Sequence, residues 1–130
     1  MAKTQLYGLA FFGALATITY LSLSKFPFLT PDLGFDFADK LGHALAYATT
    51  MILGSLFWKA RTALVQLSFL NMVYMGLLLL GYGMIIEVLQ HVLPVNRWAE
   101  IWDVVANGIG ILTGGLIFHF LFNRTSVKKA

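Results

Sequence analysis

The chain contains no cysteine, only three prolines and little charge. Without cysteine there are no disulfides and no thiolate-bound metal, and the redox compartment leaves no trace in the sequence. Asp, Glu, Lys and Arg together make up 12% of the 130 residues, where a soluble domain carries roughly 25%. Internal repeats and low-complexity segments are absent, as are a phosphate loop, a Gly-x-Ser-x-Gly elbow and an H-E-x-x-H pair. The net charge of +3 is spread over short segments with no basic stripe and no interleaved aromatics. Nucleic acid is therefore not an expected partner.

What the chain has in excess is apolar surface. Hydrophobic residues make up 58% of it, and the mean hydropathy is +0.77. A domain this short has too little interior to hide so much, so lipid is the expected solvent. A membrane helix needs about 20 mainly apolar residues. Four stretches qualify, at about 5–23, 38–58, 63–89 and 101–122. The expected fold is thus all-α, a four-transmembrane-helix bundle forming a single domain over residues 1–130. The first stretch exceeds the roughly 7–15 apolar residues of a signal peptide and lacks an A-x-A site after it, so it reads as a retained helix. Pro27 and Pro31 punctuate the first connection, and Pro94 and Asn96 the last. Trp58, Trp98 and Trp102 fall at expected helix ends, where aromatic side chains with a polar edge favour the headgroup level.

Charge is segregated along this topology. Lys3, Lys59, Arg61, Arg124, Lys128 and Lys129 fall on one side, and Lys25, Lys40 and Arg97 on the other. That asymmetry places both termini in the cytoplasm. All six acids, Asp32, Asp36, Asp39, Glu87, Glu100 and Asp103, fall on the opposite, outer side.

The acids there sit among other polar residues at helical spacing. Asp39 and His43 are four apart on the second helix, and Lys40, His43 and Tyr47 share a face at spacings of three and four. The third helix ends with Glu87 and Gln90, the loop supplies Arg97 and Glu100, and the fourth helix opens with Asp103 and Asn107. Gly110 and Gly114 continue that last stripe and suit close approach of another helix. Charged groups inside a bilayer are costly and usually face a bundle interior or a wet cavity, so these helix ends are expected to point at one another. Candidate catalytic groups are His43, Asp39, Glu87 and Asp103. Candidate ligand-binding groups are Lys40, Arg97, Tyr47, Gln90 and Asn107. Each has a plainer reading: Asp39 or Asp103 as a helix cap, Lys40 as a snorkelling side chain, Tyr47 and His43 as packing, Gln90 and Asn107 as interhelical hydrogen bonds, Glu87 and Glu100 as solvated acids. His43 with carboxylates suits Mn, Zn or Mg, yet no metal-binding motif is present, so neither a metal nor another cofactor is expected.

The combined pattern, Asp39-Lys40-x-x-His43-x-x-Ala46-Tyr47, Glu87-x-x-Gln90, Arg97-x5-Asp103-x3-Asn107-x2-Gly110-x3-Gly114, resembles the VanZ-like family over about two-thirds of the chain. Asn96 stands where many members carry glycine. The resemblance implies a multi-pass protein of the bacterial inner membrane, and the family's namesake is associated with low-level teicoplanin resistance. It marks the polar positions above without assigning their roles. The leading expectation is a cell-envelope protein that binds an anionic membrane lipid or a lipid-linked cell-wall precursor through Lys40 and Arg97. The alternatives are a membrane enzyme with a His/carboxylate site acting on a lipid-linked substrate, a proton-coupled transporter, and a purely structural polar lock. A homodimer is compatible with so thin a bundle.

Overall fold

The computed structural model describes residues 2–24, 36–93 and 100–124. Arg97, Lys25, Asp32, Lys128, Lys129 and all three prolines lie outside the described residues. Four helices follow in order: α1 Ala2–Leu23, α2 Asp36–Thr62, α3 Phe69–Val92 and α4 Ile101–Ile117, the last running on into a π-helical turn, Phe118–Phe122. No strand occurs among the described residues. The all-helical expectation therefore holds. Three helices, Ala2–Leu23, Phe69–Val92 and Ile101–Phe122, are long and apolar enough to cross a membrane. The second is long but more polar, because Asp36, Asp39, Lys40, His43, Lys59 and Arg61 all lie on it.

One boundary differs from the sequence reading. The third helix was expected to begin near residue 63 and instead begins at Phe69. Ala63, Leu64, Val65 and Leu67 prolong the apolar run, which hides the break. Two local features make it. Ala63 adopts a left-handed backbone, φ 53°, directly after α2 ends, and Ser68 caps α3, its hydroxyl accepting from the Asn71 amide at 3.1 Å. An L-residue in that left-handed region costs roughly 1–2 kcal/mol. Ala63 is also exposed, so Ala63→Gly loses no packing. The expected result is a gain of about 0.5–1 kcal/mol in unfolding free energy. An unchanged or lowered denaturation midpoint in detergent would refute that assignment.

The helices alternate in direction. Thr4 near the start of α1 donates to the Ala60 carbonyl near the end of α2 at 3.3 Å. Gln90 near the end of α3 donates to the Ser22 carbonyl near the end of α1 at 2.9 Å. At the opposite end, Asn123 closes the bundle: its side chain accepts from the Leu67 amide at 2.8 Å and donates to the Leu67 carbonyl at 2.9 Å. Lys59 donates to the Phe122 carbonyl at 2.8 Å, satisfying one of the carbonyls that a helix leaves open at its C-terminal end.

Polarity is distributed inside-out for a water-soluble protein. Leu9, Leu70, Leu78, Ile85, Leu112 and Leu116 are exposed, while Thr50, Ser55, Glu87, Gln90, Asp103 and Asn107 are buried. A fold in water puts such apolar side chains inside, and an apolar outer surface this extensive is the arrangement a bilayer stabilises. Between the two, Phe11, Ile18, Tyr47, Met51, Met75, Leu79 and Ile111 form the packed core. Helices α2 and α4 make the closest pair, with Gly110 against Ala44 and Gly114 against Ala48, the approach expected for that glycine stripe.

Candidate functional site

Alternating helix direction brings the C-terminal ends of α1 and α3 and the N-terminal ends of α2 and α4 to the same end of the bundle. Asp39, Lys40 and His43 arrive on the first two turns of α2, Glu100 caps α4 through its backbone, and Asp103 and Asn107 follow one turn apart on α4. The tight α2–α4 contact below them sets how closely these two groups meet.

Lys40 is the hub. Its Nζ lies 2.5 Å from Asp103 Oδ1 and 2.6 Å from Glu100 Oε2, with Asp39 Oδ2 at 3.7 Å. Asp103 is buried and Lys40 largely so, whereas Asp39 and Glu100 are partly exposed at 38% and 43% of their side-chain surface. The ammonium is therefore anchored from below by one buried carboxylate and covered from outside by two wet ones. The Lys40–Glu100 contact has hydrogen-bond geometry and is of the strong, charge-assisted kind, while Asp103 and Asp39 are held by ion-pair attraction.

His43 forms the second half. Its Nδ1 lies 3.0 Å from Asn107 Oδ1, so Nδ1 carries the proton and donates. Nε2 lies 3.9 Å from Asp103 Oδ2, beyond hydrogen-bond range. Asn107 is itself 1% exposed, which fixes the ring plane. One ligand-type oxygen or nitrogen from each of Asp39, His43 and Asp103 falls within a 4.8 Å set.

The remaining candidates divide. Glu87 is buried, not solvated, and its Oε2 accepts from the Glu100 amide at 3.3 Å, tying α3 to the start of α4. Gln90 points at α1, where its side chain donates to the Ser22 carbonyl. Tyr47 is fully buried beneath the cluster, its hydroxyl beside Gly83 together with Asn107 Nδ2. Arg97 is outside the described residues. Sequence alone reads Glu100 as a solvated first-turn acid; it is partly exposed, stands at the N-cap of α4 and also pairs with Lys40. Sequence alone passes over Ala44, Ala48 and Gly83, the small residues on which the cluster is seated. A signal for the first two was present, since Ala44 and Ala48 repeat the four-residue spacing of Gly110 and Gly114.

Hollow space and chemistry are separate here. A groove of about 370 Å³ opens between α1, α2 and α3, lined by Phe11, Leu15, Phe57, Met75 and Leu79 with Arg61 at one end, and no carboxylate or imidazole lies on its walls among the described residues. Its lining suits acyl chains more than polar chemistry, so the functional reading rests on the cluster. Comparison of the chain with protein-family models, curated proteins and solved structures gives no match.

Proposed function

We propose that this is a VanZ-like, single-domain protein of the bacterial inner membrane, with all four helices crossing and both termini in the cytoplasm. In this reading its outer polar cluster binds the anionic headgroup of a membrane lipid or of a lipid-linked cell-wall precursor. The crossing of α2 is supported by its neighbours. It packs along α1 and α4, both apolar enough to span, and residues 41–58 carry no Asp, Glu, Lys or Arg. At about 1.5 Å per residue that stretch covers about 27 Å, close to a bilayer's hydrocarbon core.

The observation that carries the headgroup reading is the uneven cover on Lys40. Its buried partner, Asp103, is fixed in the bundle. Its outer partner, Glu100, is solvated and holds the ammonium where an incoming phosphate oxygen would bind. A lipid phosphate replaces Glu100 on Lys40 and leaves Asp103 in place, so Glu100 is a competitor for the site. Two variants therefore move in opposite directions. Lys40→Gln is expected to lower retention of anionic lipid by about tenfold, the loss of roughly 1.4 kcal/mol. Glu100→Gln is expected to raise retention several-fold. Native mass spectrometry of the delipidated protein, with phosphatidylglycerol against phosphatidylcholine, reads both. Equal retention in the wild type and both variants would exclude this reading.

A second reading is favoured by His43 alone. Its Nδ1 is held by Asn107 and its Nε2 lies 3.9 Å from the Asp103 carboxylate, an imidazole–carboxylate pair of the kind general-base catalysis uses. Release of a water-soluble fragment from a retained lipid-linked phosphate, lost in His43→Gln, would identify an enzyme in place of a binding protein.

A further inference from the structure

We infer that Asp39, His43 and Asp103 form a binding site for a divalent transition-metal ion, of the Zn²⁺ or Mn²⁺ type. The inference takes the polar end as a binding site, as above, but it stands or falls on separate measurements.

The first ground is geometric. Zn²⁺ holds imidazole nitrogen and carboxylate oxygen at about 2.0–2.2 Å, so two ligands of one tetrahedral ion lie about 3.4 Å apart. His43 Nε2 and Asp103 Oδ2 are 3.9 Å apart, too far for a hydrogen bond, and a side-chain adjustment of about 0.5 Å brings them onto a shared ion. The full trio falls within 4.8 Å, and Asp39, also 3.7 Å from Lys40 Nζ, closes on an ion by exchanging that contact for it.

The second ground is the arrangement around His43. A metal-binding histidine typically donates its other ring N–H to an oxygen acceptor, which fixes its tautomer and orientation. Asn107 Oδ1 supplies that acceptor at 3.0 Å, from a residue that is 1% exposed. Nε2 therefore faces a buried carboxylate oxygen across 3.9 Å, a gap too wide for a hydrogen bond and one that a metal ion would bridge. Lys40 does not fill the gap, since its ammonium sits on the other oxygen, Oδ1.

The third ground is ligand chemistry. One imidazole with two carboxylates favours Zn²⁺ or Mn²⁺ over Mg²⁺ or Ca²⁺, which prefer oxygen alone. An ion at this point adds positive charge next to Lys40, on the side where a phosphate is expected. It therefore gives the proposed headgroup a second contact.

The test uses the untagged full chain in detergent, stripped with chelator, dialysed against Zn²⁺, Mn²⁺ or Mg²⁺ and measured by elemental analysis and calorimetry. A single Zn²⁺ or Mn²⁺ per chain is expected. Asp39→Asn, at a partly exposed position, is expected to weaken binding about tenfold or more, and His43→Gln to abolish it, with melting curves reporting that each variant folds. Asn107→Ala, which removes the acceptor of the imidazole N–H and leaves the ligand set intact, is expected to weaken binding about tenfold in a chain whose melting curve shows that it folds. Absence of binding above the detergent blank, binding of Mg²⁺ alone, or full retention in both Asp39→Asn and His43→Gln would overturn the site. Phosphatidylglycerol retention is measured in parallel, with and without chelator. Lipid retained by a chain that takes no Zn²⁺ or Mn²⁺ removes the metal site and keeps the headgroup reading. Ion bound by a chain that retains no lipid does the reverse.

Discussion

Gly110→Ala is expected to lower the unfolding free energy by about 3 kcal/mol or more, a large loss for one methyl group. A Cβ at Gly110 would overlap the Ala44 carbonyl group and come within 2.9 Å of its Cα. At Gly114 it would meet the backbone of Ala48 in the same way, 2.9 Å from Cα. Both obstacles are helix backbone, which has no rotamer to change, so α2 and α4 must separate along their whole contact. The matched control is two residues away. A Cβ at Gly108 meets nothing within 4 Å, so Gly108→Ala is expected to be neutral or to stabilise by up to about 1 kcal/mol through helix propensity. Reversible unfolding in mixed micelles, read by circular dichroism, compares the two. Similar midpoints for Gly110→Ala and Gly108→Ala would remove the close approach of α2 and α4 from the account. The loss extends to the site, because the same two helices carry Lys40 and His43 on one side and Asp103 and Asn107 on the other. Helix separation lengthens the 2.5 Å and 3.0 Å contacts together. Gly110→Ala is thus expected to weaken lipid retention even though glycine touches no ligand.

How much of this is legible in sequence depends on the range of the interaction. Four apolar runs bounded by charge, proline or asparagine mark four helices because lipid-length helices need only local composition. The break before α3 escapes, since Leu64, Val65 and Leu67 read as more helix. The left-handed turn falls on Ala63, a residue that gives no sign of it. At the site, the spacings Asp39–His43 and Asp103–Asn107 put each pair on one helix face. They say nothing of which face meets which. The His43–Asn107 and Lys40–Asp103 contacts join residues more than sixty positions apart, and their pairing follows from helix direction and from the small residues beneath. Gln90 illustrates the limit. Its position three after Glu87 groups it with the cluster, but its side chain satisfies a backbone carbonyl on α1. Glu87 lies at the end of its helix, where solvation is a fair reading; packing against the start of α4 buries it.

The same long-range pairing governs the second large effect, on Lys40 and Asp103. Removing one member of a buried ion pair typically costs about 3–5 kcal/mol, because the other charge is stranded, whereas replacing both with apolar groups is often near neutral. Here the two single changes are not equivalent. Asp103→Asn leaves Lys40 with Glu100 at 2.6 Å and Asp39 at 3.7 Å, so its cost is expected at the lower end, about 3 kcal/mol. Lys40→Met leaves three carboxylates facing one another with Asp103 buried, and is expected at the upper end, about 5 kcal/mol. The double variant Lys40→Met/Asp103→Leu is expected to recover most of the loss, giving a coupling energy of about 4 kcal/mol or more in a double-mutant cycle whose single variants are Lys40→Met and Asp103→Leu. Strict additivity would refute the pairing. The double variant also separates a binding site from a structural lock. A lock needs only that its groups be matched, so a repacked, stable chain would keep whatever the protein retains. A site needs the ammonium itself. The double variant is therefore expected to fold and yet to hold phosphatidylglycerol no better than Lys40→Gln does. Recovery of lipid retention along with stability would assign the cluster to holding four helices together and nothing more.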